Sequence, residues 1–167
     1  DLNRSYFHLK TSASISNSNT AYFNLKEYET EVVEFYLKTQ QKELAAEEVN
    51  RMNQLVGCIR NLTLSAKDLK DIKHNLDELK STATDEFYQF YKQIKSNQQE
   101  FYKEMEILIE RMDQVSHTEI EQLNVIHQKF YKEESENLYK IKTGSSEIDV
   151  PTLLNMLRQI NNSNESL

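Results

Sequence analysis

Carboxylates dominate the reactive side chains of this sequence, with 27 Asp and Glu against 20 Lys and Arg. Carboxylates arrayed on helices can build a dinuclear metal centre, which needs a Glu from each of two helices and Glu-x-x-His pairs from two others. No Glu-x-x-His occurs here, and the nearest spacing, Asp71 with His74, occurs once. His8, His117 and His127 lack a Glu three residues earlier, and the zinc-protease pattern His-Glu-x-x-His is absent. The single cysteine, Cys58, excludes an intrachain disulfide and a cysteine-based metal site. It stands beside Ile59 in an apolar stripe, where a buried, inert thiol is expected. The only glycines, Gly57 and Gly144, are too far apart to form a phosphate-cradling loop. These residues predict no metal, no cofactor and no catalysis.

A second constellation is built from charge. In the segment RNLTLSAKDLKDIKHNLDEL, the residues Arg60, Lys67, Asp71, His74 and Glu78 follow one another at spacings of seven, four, three and four. On a helix they form one polar stripe beside the apolar one. Lys67 and Asp71 are spaced to pair across a turn, an interaction of a few tenths of a kcal/mol on an open surface. His74 lies one turn further on. Such a stripe is either a solvated face or a polar seam against another helix. In the second case we expect it to fix contact with the last helix, through Asn155. The aromatic doublets Phe35-Tyr36, Phe87-Tyr88, Phe90-Tyr91, Phe101-Tyr102 and Phe130-Tyr131 also invite a reading as a ligand-binding ladder. Core plus rim is the simpler account, one ring inward and its neighbour at the edge.

Long helices must position all of these groups. Two glycines and one proline, Pro151, are too few for the turns of a sheet protein of 167 residues. The segment 1–20, rich in Ser, Asn and Thr, reads as a loop or loosely attached, with Tyr6, Phe7 and Leu9 able to pin it. From about Asn24, Leu25, Tyr28, Val32 and Phe35 mark a first helical face, with Asn24 and Glu27 as its cap. A second helix from near Leu44 carries an unbroken stripe from Val49 to Leu79. A third, capped by Thr82 and Asp85, presents Phe87, Tyr91, Ile94, Phe101, Met105, Leu108 and Met112, almost a heptad repeat interrupted at Gln98. Ser116 and Glu119 form a capping box for a fourth helix with Ile120, Leu123, Ile126, Phe130, Leu138 and Ile141 on its apolar side. Gly144, Ser145 and Ser146 end it. Asp149 and Pro151 open a short fifth with Leu153, Leu154, Leu157 and Ile160. The expected fold is all-α, an antiparallel bundle of about five helices over residues 21–167.

The formal charge is −7. It is split as 11 basic and 12 acidic residues up to Lys80, then 9 and 15 from Ser81 onward. An acidic surface repels phosphate backbones, so no nucleic-acid partner is expected. Apolar runs stop far short of the roughly 20 residues that span a bilayer. The chain opens on Asp1 and its last helical pattern runs up to Leu167, so a piece of a longer protein is expected.

The segment KDLKDIKHNLDEL (Lys67–Leu79) resembles the long second helix of the PhoU-like domain attached to bacterial sodium/phosphate cotransporters. LAAEEVNRMNQLVGCIRNLTLSAK upstream is similar to the approach of that helix, and PTLLNMLRQINNSNESL to the family's closing helix. The resemblance covers about residues 21–167. It implies a regulatory domain on the cytoplasmic side of the cell membrane, belonging to a membrane protein of sodium-dependent phosphate transport. Its partners would be a transmembrane transporter core in the same chain and either a second copy or a regulatory protein. Stand-alone PhoU proteins bind metal through Glu-x-x-x-Asp motifs. At the corresponding positions stand Lys70 and His74, and a protonated lysine has no lone pair to offer, so no metal ligands carry over. The other reading is a helical scaffold or adaptor, unrelated to transport, that binds a partner helix. It is motivated by the heptad-like third helix and the edge tyrosines.

Overall fold

The computed structural model describes residues 18–40, 44–81, 85–141 and 149–167, and among them there is helix and no strand. The fold is an all-α bundle, and the five expected helices are present, the second in two pieces. In chain order they are α1 (Ser18–Thr39), α2 (Ala46–Asp71), α3 (Lys73–Ser81), α4 (Asp85–Glu110), α5 (His117–Leu138) and α6 (Val150–Glu165), with a 3-10 turn, Met112–Gln114, between α4 and α5. Capping at Thr82 and termination at Gly144–Ser146 lie outside the described residues.

The chain forms two compact units. The first holds the described residues up to Asp71 together with Asn162–Leu167. Here α1 packs on α2, and the pair is antiparallel: Tyr36 near the end of α1 donates its hydroxyl to Asn53 Oδ1 near the start of α2, 2.7 Å. At the other end the Lys70 ammonium lies 4.6 Å from the Tyr22 ring centre. α1 starts at Ser18, six residues before the expected position, so Asn24 is an interior helical residue and not a cap. Residues 18–20 are thereby helical and not loop, while residues 1–17 lie outside the described part. At the start of α2, Glu48 reaches back to accept from the Ala45 backbone N–H, 2.9 Å, and Glu47 and Glu48 both complement the positive end of the helix dipole.

The second unit spans Ile72–Asn161. The stripe expected to run unbroken from Val49 to Leu79 is interrupted at Ile72, a turn residue between α2 and α3. No proline or glycine lies there. The Leu76 N–H already bonds back to the Ile72 carbonyl at 3.0 Å, so the helical ladder resumes at once. α3 packs on α4, and α4 on α5. The α4 face is Phe87, Phe90, Tyr91, Ile94, Phe101 and Met105, all buried. Met112 has left the helix and is 61 % exposed. Ser116 caps α5 as anticipated: its hydroxyl accepts from the Glu119 N–H while the Glu119 side chain takes the Ser116 N–H. Arg111 adds a 2.8 Å hydrogen bond to the same Glu119 carboxylate. The Ser116 backbone and side chain, followed by Arg111, hold Glu119 down at about 2. α6 opens on Asp149, which accepts from the Thr152 N–H at 2.7 Å. Leu153, Met156, Leu157 and Ile160 on α6 are buried.

Candidate functional site

The charged stripe is divided between the two units. Arg60, Lys67 and Asp71 belong to α2 in the first unit, whereas His74, Glu78 and Asn155 belong to the second, on α3 and α6. Arg60 and Lys67 are exposed. Asp71 has Lys70 as its ion partner at 3.5 Å, in place of the expected Lys67. His74 is exposed and Glu78 half-buried. Asn155 is exposed and accepts from Arg158 of its own helix at 2.8 Å. Within the first unit α2 meets the end of α6 through two buried serines. The Ser163 hydroxyl donates to the Ser65 carbonyl oxygen, 3.1 Å. That leaves the Ser65 hydroxyl to donate to Ser163 Oγ at 2.8 Å. Cys58, expected to be buried, is exposed, because the 100° step from Ile59 carries it away from the α1 contact.

The structure places a polar seam elsewhere, between α4 and α5. Asn137 donates to Gln93 Oε1 at 3.0 Å, Asn97 donates to Glu134 Oε1 at 2.8 Å, and the Phe101 and His127 rings lie 5.4 Å apart. As the number on α4 rises from 93 to 101, its partner on α5 falls from 137 to 127, which fixes an antiparallel register. Glu134 and His127 are 2 % and 3 % exposed. Burial pushes the Glu134 carboxyl up to about 7 against the Asn97 hydrogen bond, and the neighbouring Glu133 adds to the rise. A polar pair inside an apolar helix interface specifies alignment, since any slip leaves both groups unpaired. This seam had a signal in the sequence. Phe130 and Leu138 are eight apart, and Glu134 fills the missing step midway between them, with His127 one heptad before it.

A third feature is an apolar groove of about 190 Å³ along the α1–α2 pair, lined by Glu31, Val32, Phe35, Tyr36, Met52, Leu55 and Val56. Phe35 on its edge is 63 % exposed and Leu55 54 %. The expectation for the doublets holds at Phe87-Tyr88, where the Phe is buried and the Tyr exposed. It fails at Phe90-Tyr91, where both rings are buried, and reverses at Phe35-Tyr36, where Tyr36 is the more buried partner. At the mouth of the α4–α5 pair, Lys140 donates to Asn137 at 3.0 Å beside a more polar cleft that includes Glu86 and Gln89.

Among the described residues no group of three or more His, Cys, Asp or Glu is placed to hold a metal ion. No helix among them is long and apolar enough to cross a membrane. The chain matches no protein-family model, no curated protein and no solved structure.

Proposed function

We propose that the chain is a non-catalytic interaction module whose α1–α2 pair receives an amphipathic helix with a basic edge. The observation that carries this reading is the open apolar flank formed by Tyr28, Phe35 and Leu55 beside the half-buried Val32, Met52 and Val56. Two packed helices leave a groove that a third helix can fill by setting its ridges into it. Apolar patches rimmed by polar residues mark surfaces of this kind. The charged residue lining the groove is Glu31, and α1 as a whole carries Glu27, Glu29, Glu31 and Glu34 against Lys26 and Lys38. Lys26 pairs with Glu29 and Lys38 with Glu34. Glu27 and the groove-lining Glu31 have no ion pair among the described residues, so complementary charge on the occupant would be basic.

The test is a titration of the chain with a synthetic Leu/Lys peptide of about 18 residues, five helical turns, patterned at i, i+3, i+4 and i+7. Methyl signals of Val32, Met52 and Val56 should shift. A Leu/Glu peptide of the same pattern should bind at least about tenfold more weakly, and the Phe35→Ser, Leu55→Ser double variant should bind neither. Shifts confined to other residues, or equal binding of both peptides, would overturn the reading.

A second reading makes this module the regulatory part of a sodium-dependent phosphate transporter, on the cytoplasmic side of a membrane. Its support is the sequence resemblance around Lys67–Leu79, a segment within which the helix is interrupted at Ile72. Sodium-dependent phosphate uptake that is unchanged in cells deprived of the protein would remove it.

A further inference from the structure

The α4–α5 pair closes over a carboxyl group that has no ion pair among the described residues. Glu134 is 2 % exposed, and its one described side-chain partner across the interface is the neutral Asn97 amide. Cations on the other helices of this unit are in solvent: Lys92, Lys95 and Lys103 on α4 are exposed, and Arg158 on α6 is exposed and donates to Asn155. On α3, Lys73 is half-buried, while Lys80 is exposed; among the described residues neither forms an ion pair with Glu134. On its own helix, Glu133 adds a like charge. His127, two turns back, lies against the Phe101 ring. A carboxylate removed from water with no counter-ion is costly, and the group relieves that cost by keeping its proton or by returning to water.

We propose that Glu134 is a proton-operated clasp, holding the α4–α5 interface shut when its carboxyl is neutral and loosening it when the carboxyl ionises. Return of the charged side chain to solvent requires the helices to part at the Asn97–Glu134 layer, and this gives access to the seam residues Phe101 and Phe130. The closed chain keeps the proton up to about 7, whereas an open chain releases it near the ordinary 4.5. The closed state therefore binds more protons across that interval, and raising the pH through it favours opening. Between about pH 5.5 and about pH 8.5 the closed-to-open ratio falls on the order of 30-fold.

Two measurements on the whole chain test this. Amide exchange across residues 94–101 and 127–134, corrected for the intrinsic pH dependence of exchange, should show opening rising by about that factor over the interval. The Glu134→Gln variant, neutral at every pH, should show a flat profile. A carbon-13 titration of the glutamate carboxyls should place Glu134 near neutrality in the unmodified chain. This settles the matter even if Glu134→Gln does not fold. Titration of Glu134 in the ordinary glutamate range, or the same pH slope in both proteins, would overturn the proposal. The peptide titration at α1–α2 does not depend on either result.

Discussion

The two units are made of the same kind of helix yet bury opposite kinds of residue. In the second unit the buried positions are mostly large and apolar, Phe87, Phe90, Ile94, Phe101, Leu138, Leu153 and Leu157 among others, with Glu134 and His127 as polar exceptions. In the first, Leu25 is the one large apolar side chain in that class among the described residues, and Thr63, Ser65, Ser163 and Asn164 make up the rest. The long stripe of α2 from Val49 to Leu69 stays half-buried throughout. The second unit also exposes apolar groups, such as Met112 and Tyr139, but it does so around a closed centre. Apolar burial is the main favourable term in folding, so the second unit holds itself together. The first leaves Phe23, Phe35, Leu37, Leu55 and Leu64 in solvent, the surface on which the proposed occupant would sit.

That contrast can be broken most forcefully by truncating one ring in each unit. Phe101→Ala should cost about 3–5 kcal/mol, the usual range for a buried Phe, whereas Phe35→Ala should fall within about 0.5 kcal/mol of the parent, as exposed substitutions do. Chemical denaturation of both variants decides it, and equal losses would erase the distinction. A smaller effect sharpens the account of the α4–α5 pair. Ser116→Ala removes the capping box and should cost about 1 kcal/mol. Because Glu119 is held at about 2, below its ordinary 4.5, its contribution is present above pH 4.5 and is lost as the pH falls through that interval. The penalty of Ser116→Ala should therefore shrink in acid, as thermal scans at neutral and acidic pH will show. Smallest of all, Gly57→Ala on the exposed side of α2 should stabilise by about 0.5–1 kcal/mol through helix propensity. A Cβ at Gly57 meets no atom within 4 Å, so a destabilised variant would mean that this side of the first unit is covered after all.

Much of this architecture is written in local patterns. Ser116 with Glu119, and Asp149 ahead of Pro151, announce their helices because capping is a matter of a few adjacent residues. The apolar spacing from Phe87 to Met105 announces the buried face of α4. The interruption at Ile72 has no such mark, since LKDIKHNL contains no helix breaker. The early start of α1 at Ser18 was hidden because Ser and Asn are weak helix formers whose local signals favour turns. The charged stripe illustrates a different limit. Spacing shows that Arg60 to Glu78 would line up on a continuous helix, but it does not show where that helix is interrupted or which side meets a neighbour. Glu134 and His127 carry little signal in the sequence, because polar residues at heptad positions read as surface until the facing helix is known. The gap between Phe130 and Leu138 was their one trace.

Native-state hydrogen exchange on the intact chain at neutral pH tests most directly whether one unit is closed and the other open. Amides of residues 105–108 on α4 and of residues 123–126 on α5 should exchange only through the largest openings. Those of residues 28–36 and 52–56 should exchange through openings at least about 2 kcal/mol smaller, as expected where few apolar contacts hold a helix. Equal protection in the two sets, or slower exchange in α1 and α2, would contradict the account.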